Sequence, residues 1–251
     1  MKIIISPAKK MRDHEDGFMW KQKPLFLDKT QVLPDELKKM NAEELSKLMN
    51  CNSKIAELNY ERFQKMDLNQ SLTPALFAYE GLQYQHMAPG IFTDEQLDYV
   101  EKHLCILSGF YGLLHPFDGI CCYRLEMQTR LNTENVSDLY AFWGSLLADE
   151  LYKNNDLVLN LASKEYSMCI EPYLKDQRKM IHCIFATEDK GKLKVKGTEA
   201  KMLRGEMVRY MASNHIENIE EIKKFSCMGY VYSEKESSNE EFVYIKKEVA
   251  H

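Results

Sequence analysis

Apolar and polar positions fall into blocks along the chain, and each block predicts an element. KIIIS, residues 2–6, is a short unbroken apolar run stopped by Pro7, the pattern of a strand buried on both faces. From Pro34 to Asn50, apolar residues recur near helical spacing at Leu37, Met40, Leu45, Leu48 and Met49. Asn52 or Ser53 opens a second helix through Ile55, Leu58 and Phe63, and the short connection predicts antiparallel neighbours. ALFAYEGLQY, residues 75–84, reads as a strand broken at Gly81. TDEQLDYVEKHL reads as a helix capped by Thr93, with acids in its first turn.

Further along, residues 138–152 are amphipathic behind an Asp cap, and DLVLNLAS, residues 156–163, is a buried strand ending in a polar turn. MIHCIF and KLKVKG predict a strand pair around Lys190 and Gly191. Residues 198–214 predict a long helix capped by Thr198, and CMGYVYS and EEFVYIKK predict closing strands. No repeat, low-complexity stretch or linker interrupts the chain. The pattern implies one compact domain over residues 1–251 with an α+β (mixed α/β) fold, an irregular mixed sheet surrounded by helices.

Charge narrows the partners. A net charge of −5 excludes binding to a polyanion by bulk field and leaves only a local basic patch. The run Ile3–Ile5 is too short for a signal peptide, and no window reaches the length of a membrane span. The seven cysteines include no CxxC and no paired Cys/His spacing, which argues against zinc and fits a reducing cytoplasm. The expectation is a cytoplasmic protein with no membrane partner, no metal site and no cofactor. Adjacent Cys121 and Cys122 read as packing residues.

Several short stretches carry candidate chemistry. LSGFYGLLHPFDGICCYRLEM, residues 107–127, has two readings. In one, Gly109 and Gly112 form a helix-hairpin-helix-like turn whose backbone approaches a phosphate. In the other, the segment is a strand-to-turn connection under the core. Arg124 and Glu126 lie two apart, so an extended chain projects both to one face. They read either as a fork for phosphate or carboxylate with an orienting base, or as a structural ion pair. SPAKK puts Ser6, Lys9 and Lys10 after the first strand, where ligands commonly bind; Lys9 reads as a phosphate contact, a Schiff-base former or a solvated loop lysine. NLASKEY sets Asn160, Ser163 and Tyr166 at a second strand end, as binding groups or as turn chemistry. Lys201, Arg204 and Arg209 share one broad side of the long helix, where Gly205 leaves room for a backbone or ligand.

The order of these blocks resembles the YaaA family of peroxide-stress proteins: SPAK, LSGFYGLL-P-D, YRLEM, LYAFWG, NLASKEY, K-x-x-RG-x-M-x-R and F-x-x-x-GY, from Ser6 to Tyr230. The resemblance implies a cytoplasmic stress protein that limits damage from free intracellular iron. It also implies a mixed α/β fold, a positively charged cleft and a helix-hairpin-helix element associated with DNA binding. The residues carried over are Ser6, Lys9, Gly109, Gly112, Arg124, Glu126, Asn160, Ser163, Tyr166, Lys201, Arg204 and Arg209. His115 in HPFD, and Glu80 and Leu82 around Gly81, depart from the family pattern and reduce positive charge near the expected cleft. Asp118 is expected to cap or brace its turn.

Two functions follow. One is largely sequence-independent DNA binding through the cleft. The other is an enzyme acting on DNA or a phosphorylated substrate, for example a lyase, with Lys9 and Glu126 as catalytic candidates and Lys201 as a second possible nucleophile. Either way, Lys9, Arg124, Lys201 and Arg204 are expected to line one electropositive site.

Overall fold

In the computed structural model, residues 1–13, 17–133, 136–175 and 177–247 are described. The fold is α+β, a large mixed sheet with helices packed around it. Across the sheet the strands run Ser226–Cys227, Tyr230–Tyr232, Glu241–Lys246, Lys179–Asp189, Leu157–Leu161, Lys2–Ile5, Leu104–Ser108 and Gly112–Leu114. Lys192–Lys194 pairs antiparallel with the far end of Lys179–Asp189. The five strands from Glu241–Lys246 to Leu104–Ser108 are mutually parallel, and the edges are antiparallel. Ile3, Ile4 and Ile5 lie at the centre with no exposure, as an unbroken apolar run in a parallel strand requires.

Helix starts follow local chemistry. Thr93 caps Asp94–His103 in a reciprocal box with Gln96, and Asn52 caps Ser53–Lys65 through the Ile55 N–H. The apolar run from Pro34 to Asn50 divides into Val32–Lys38 and Ala42–Leu48, because Asn41 makes its own capping box with Glu44. The second of these helices and Ser53–Lys65 are joined by Met49–Asn52, whose turn uses Asn50 at φ 44°. Asparagine tolerates that left-handed conformation better than most residues. The predicted helix over 138–152 also divides, with Gly144 at φ 53° between Leu139–Trp143 and Leu146–Leu151. Asp138 caps it as expected, and Trp143 is buried.

Three expectations change. Residues 75–84 form a short helix Ala75–Ala78, two strand residues Tyr79–Glu80 and a helix Leu82–Met87, rather than a strand broken at Gly81. Thr198 lies inside its helix, which runs Gly197–Ser213 with no side-chain cap. The helix-hairpin-helix reading of Leu107–Met127 gives way to a β-hairpin: Leu104–Ser108 pairs with Gly112–Leu114, and Ser108 Oγ accepts the N–H groups of Phe110 and Tyr111 in the turn. Asp118, fully buried, braces the next turn by accepting from His115 N–H and Gln22 Nε2, each at 2.8 Å.

Gly205 allows the long helix to lie against Leu82–Met87 at backbone contact. A Cβ there would stand 2.1 Å from the Gln83 carbonyl oxygen and 2.9 Å from Met87 N. Gly205→Ala should therefore destabilise the protein by about 1–3 kcal/mol in denaturant unfolding, despite alanine's better helix propensity. Gly197→Ala, where an added Cβ meets nothing within 4 Å, is the control and should not destabilise.

Candidate functional site

The parallel strands Lys2–Ile5 and Leu157–Leu161 end side by side, and the loops after them meet. Ser163 N–H donates to Ser6 Oγ at 2.8 Å, and the Ser6 hydroxyl donates to Ser163 Oγ at 3.3 Å. Tyr84 OH donates to the Ser6 carbonyl at 3.0 Å and ties both loops to the Leu82–Met87 helix. Beyond these strand ends opens a cavity of about 500 Å³, within the roughly 300–1,000 Å³ typical of small-ligand sites. Its walls are the Ser6–Lys10 loop, Glu80–Tyr84, the extended Tyr123–Glu126 segment, Ser163 to Tyr166, and Lys201 and Arg204 from the long helix.

Gly109 sets the depth of one wall. A Cβ there would lie 2.6 Å from the Leu125 carbonyl oxygen and 3.0 Å from Met127 N, so the Leu125–Met127 backbone lies directly on the hairpin. Gly112, at φ 76°, is packed against Trp143 and Leu147. Both glycines are buried in packing and neither lines the cavity.

Five cations, Lys9, Lys10, Arg124, Lys201 and Arg204, face three carboxylates, Glu80, Glu126 and Glu165. Glu126 Oε1 takes Lys9 Nζ at 2.9 Å and Arg124 Nη2 at 3.0 Å, while Glu80 holds Lys10 at 2.6 Å and Arg12 at 3.3 Å. Arg204 makes no ion pair among the described residues, and burial pulls its pKa below the ordinary value. Five buried side-chain atoms among the described residues lack a hydrogen-bond partner. Four belong to this cavity: Gln83 Nε2, Arg124 Nε, Arg204 Nε and Glu126 Oε2. Buried polar groups are nearly always paired, so their concentration here gives the cavity unmet hydrogen-bonding capacity. Three of the atoms are donors and one is an acceptor, which suits an anion that also carries a hydroxyl or amino group.

The back wall is phenolic. Burial raises the pKa of Tyr84 and Tyr166, and of Tyr123 to about 12. Tyr123 OH bridges Tyr79 OH at 2.7 Å and Ser108 Oγ at 2.6 Å. These rings stay neutral and fixed, so they shape the cavity without adding charge.

Of the residues singled out in the sequence, Ser6, Lys9, Arg124, Glu126, Ser163, Tyr166, Lys201 and Arg204 line the cavity together. Asn160 does not: its Oδ1 accepts Ala162 N–H at 2.8 Å and its Nδ2 meets His182 Nδ1 at 2.9 Å, the turn chemistry of a strand end. Arg209 is exposed and lies outside the lining, because five residues of helix turn it well away from Arg204. His115 also lies outside the cavity, so its departure from the family pattern leaves the cavity's charge unchanged. Gln83, Tyr84, Tyr123 and Glu165 were not read from the sequence; the hydrophobic run around Gln83 and the tyrosines pointed to core rather than to a site.

A family model described as peroxide stress protein YaaA matches residues 1–236. The chain is 52% identical over 246 residues to a UPF0246 protein of Ligilactobacillus salivarius, covering 98% of this chain and 100% of that one. It is 49% identical over 249 residues to a UPF0246 protein of Pediococcus pentosaceus, with 99% of each chain covered. A UPF0246 protein of Lachnoclostridium phytofermentans is 47% identical over 248 residues, 99% of this chain and 97% of the relative.

Glu165 gives the site a pH signature. Burial raises its pKa, and the charge of Glu126 adds to the effect. A carboxyl whose pKa is raised on folding contributes stability that is full below the unfolded value and lost as pH rises through the folded value. Glu165→Gln should therefore melt at a higher temperature than the parent at about pH 7, with the gap closing toward about pH 4. A gap that is constant across a calorimetric pH series would show that ionisation of Glu165 is not its cause.

Proposed function

We propose that this chain, which belongs to the peroxide stress protein YaaA family, acts in the peroxide stress response by holding nucleic-acid phosphates in the cleft, limiting the damage that free intracellular iron does. The observation that carries this reading is Arg204: a largely buried guanidinium with no carboxylate partner among the described residues, in a cavity where cations outnumber carboxylates. Removing such a cation from water without an anion is costly, and a bound phosphate would offset that cost. Phosphate contacts carry no base information, so the binding is largely sequence-independent. The helix Ala42–Leu48 and the turn after it line a second cavity that shares Lys9 and Glu126 with the cleft, and would continue the contact along a strand.

Two other routes to peroxide protection have less support. Burial raises the thiol pKa of six of the seven cysteines, with Cys121 pushed up to about 11 and Cys122 to about 12. Protonated thiols react poorly with oxidant. Among the described residues no group of three or more His, Cys, Asp or Glu is placed to hold a metal, so protection is read at the nucleic acid rather than as iron storage. No helix among the described residues is long and apolar enough to cross a membrane.

A catalytic reading rests on Glu126, whose unpaired Oε2 stands beside two cations as a base would. Lys9 supports a lyase less well: its side chain is 63% exposed and paired with a carboxylate, the reverse of the desolvated setting that makes a lysine nucleophilic. Duplex binding across a salt series tests the main reading. Arg204→Ala should weaken binding and lower the slope of log affinity against log salt by about one, while Arg209→Ala should leave both unchanged. Equal effects from the two substitutions would place the contact elsewhere. Glu126→Gln, assayed in parallel for folding, binding and survival under peroxide, tests the second reading: lost survival with folding and binding preserved would favour the enzyme, and full survival would count against catalysis by Glu126.

A further inference from the structure

Lys9 and Glu126 line a second cavity as well as the first. It measures about 720 Å³ and lies between the helix Ala42–Leu48 with its following turn and the Gln128–Arg130 segment. Its character differs from that of the cleft. Half-buried Met40 and Leu48 and buried Met49 form an apolar wall, while Asn50, Gln128 and Glu44, with the exposed cations Lys47 and Arg130, supply polar groups at its rim. The partition between the two cavities is the Lys9–Glu126 ion pair, which is exposed on the lysine side.

We infer that the two cavities form one bipartite site for a nucleoside phosphate, with the phosphate in the cleft and the base in the second cavity. This rests on the reading of the cleft as a phosphate site. The chemistry of each part matches its half of the ligand. The unpaired guanidinium nitrogens of Arg124 and Arg204 call for an oxyanion. The unpaired Oε2 of Glu126, at the partition, calls for a donor such as a sugar hydroxyl. Methionine thioethers pack favourably against planar rings, and amide side chains such as Asn50 and Gln128 read the edges of bases. A site that only tracked a phosphodiester backbone would need neither the apolar wall nor the inward carboxylate. The same unit arises as a free nucleotide or as an unstacked nucleotide in a strand.

Isothermal titration of the full chain with AMP, adenosine and ribose phosphate separates the parts. AMP should bind at least about tenfold more tightly than either fragment. Leu48→Glu, which puts a carboxylate into the base cavity, and Leu48→Trp, which fills it, should each remove that advantage and leave ribose phosphate binding unchanged. Gln128→Ala, at an exposed position on the same cavity, should weaken AMP about threefold or more in the same selective way, and it keeps the test decisive if the Leu48 variants melt early. If ribose phosphate binds as tightly as AMP, the second cavity takes no base and the inference fails while the cleft reading stands. If no phosphate probe binds, both fail. Competition against bound AMP identifies the source: a short single strand that displaces it where a blunt duplex does not points to a strand, and failure of both strands points to the free nucleotide.

Discussion

A carboxylate that is nearly excluded from water beside a cavity must be held by cations, and the site is organised around one that is. Glu126 joins Lys9, from the loop after the first strand, to Arg124, two residues upstream in an extended segment. Removing Arg124, itself nearly buried, would leave that carboxylate with only the solvent-exposed Lys9 to compensate it, a costlier loss than that of Lys9, whose exposed ammonium is screened by water. The pair of bonds uses one carboxylate oxygen and leaves the other open. Glu126 therefore fixes two walls of the cleft relative to each other and still has capacity to meet a ligand. Arg204 has no equivalent partner among the described residues, and the cavity holds five cations against three carboxylates.

The framework that positions these groups is the parallel centre of the sheet. Strand ends at Ile5 and Leu161 fall side by side because their registers match residue for residue, Ile5 opposite Leu161. Ser6 and Ser163 then meet without any special loop. Clefts at the carboxyl ends of parallel strands arise in this way from sheet geometry alone, and side chains supplied by later helices decide their chemistry. Here Gly109 and Gly205 do the closing: each removes a Cβ where a second backbone passes at contact distance.

Much of this was legible in the sequence where a single physical rule dominated. The Ile3–Ile5 run, the Thr93 and Asn52 caps and the pairing around Lys190 and Gly191 depend on neighbours within a few residues. Ala75–Tyr84 did not yield to such rules, since its apolar density fits strand and helix alike and tertiary packing decided the outcome. Gly109 and Gly112 were ambiguous because glycine serves close packing and phosphate approach equally. Arg209 was grouped with Arg204 as one broad basic side, although five residues of helix turn the two well apart and only Arg204 reaches the cavity. Met40, Leu48 and Met49 read as ordinary core periodicity, and nothing local distinguishes a core wall from a cavity wall.

The bond between Ser6 and Ser163 spans 157 residues of chain, and the cleft also draws on residues near positions 80, 125 and 201. A site so distributed has no local precursor. It cannot exist in a nascent chain until the long helix has been synthesised and docked, and no fragment lacking the first strand or that helix would possess it. Contacts of such long range form slowly and together. Occupancy of the cleft would therefore slow hydrogen exchange at the most protected amides of the central strands, not merely at the loops that touch the ligand.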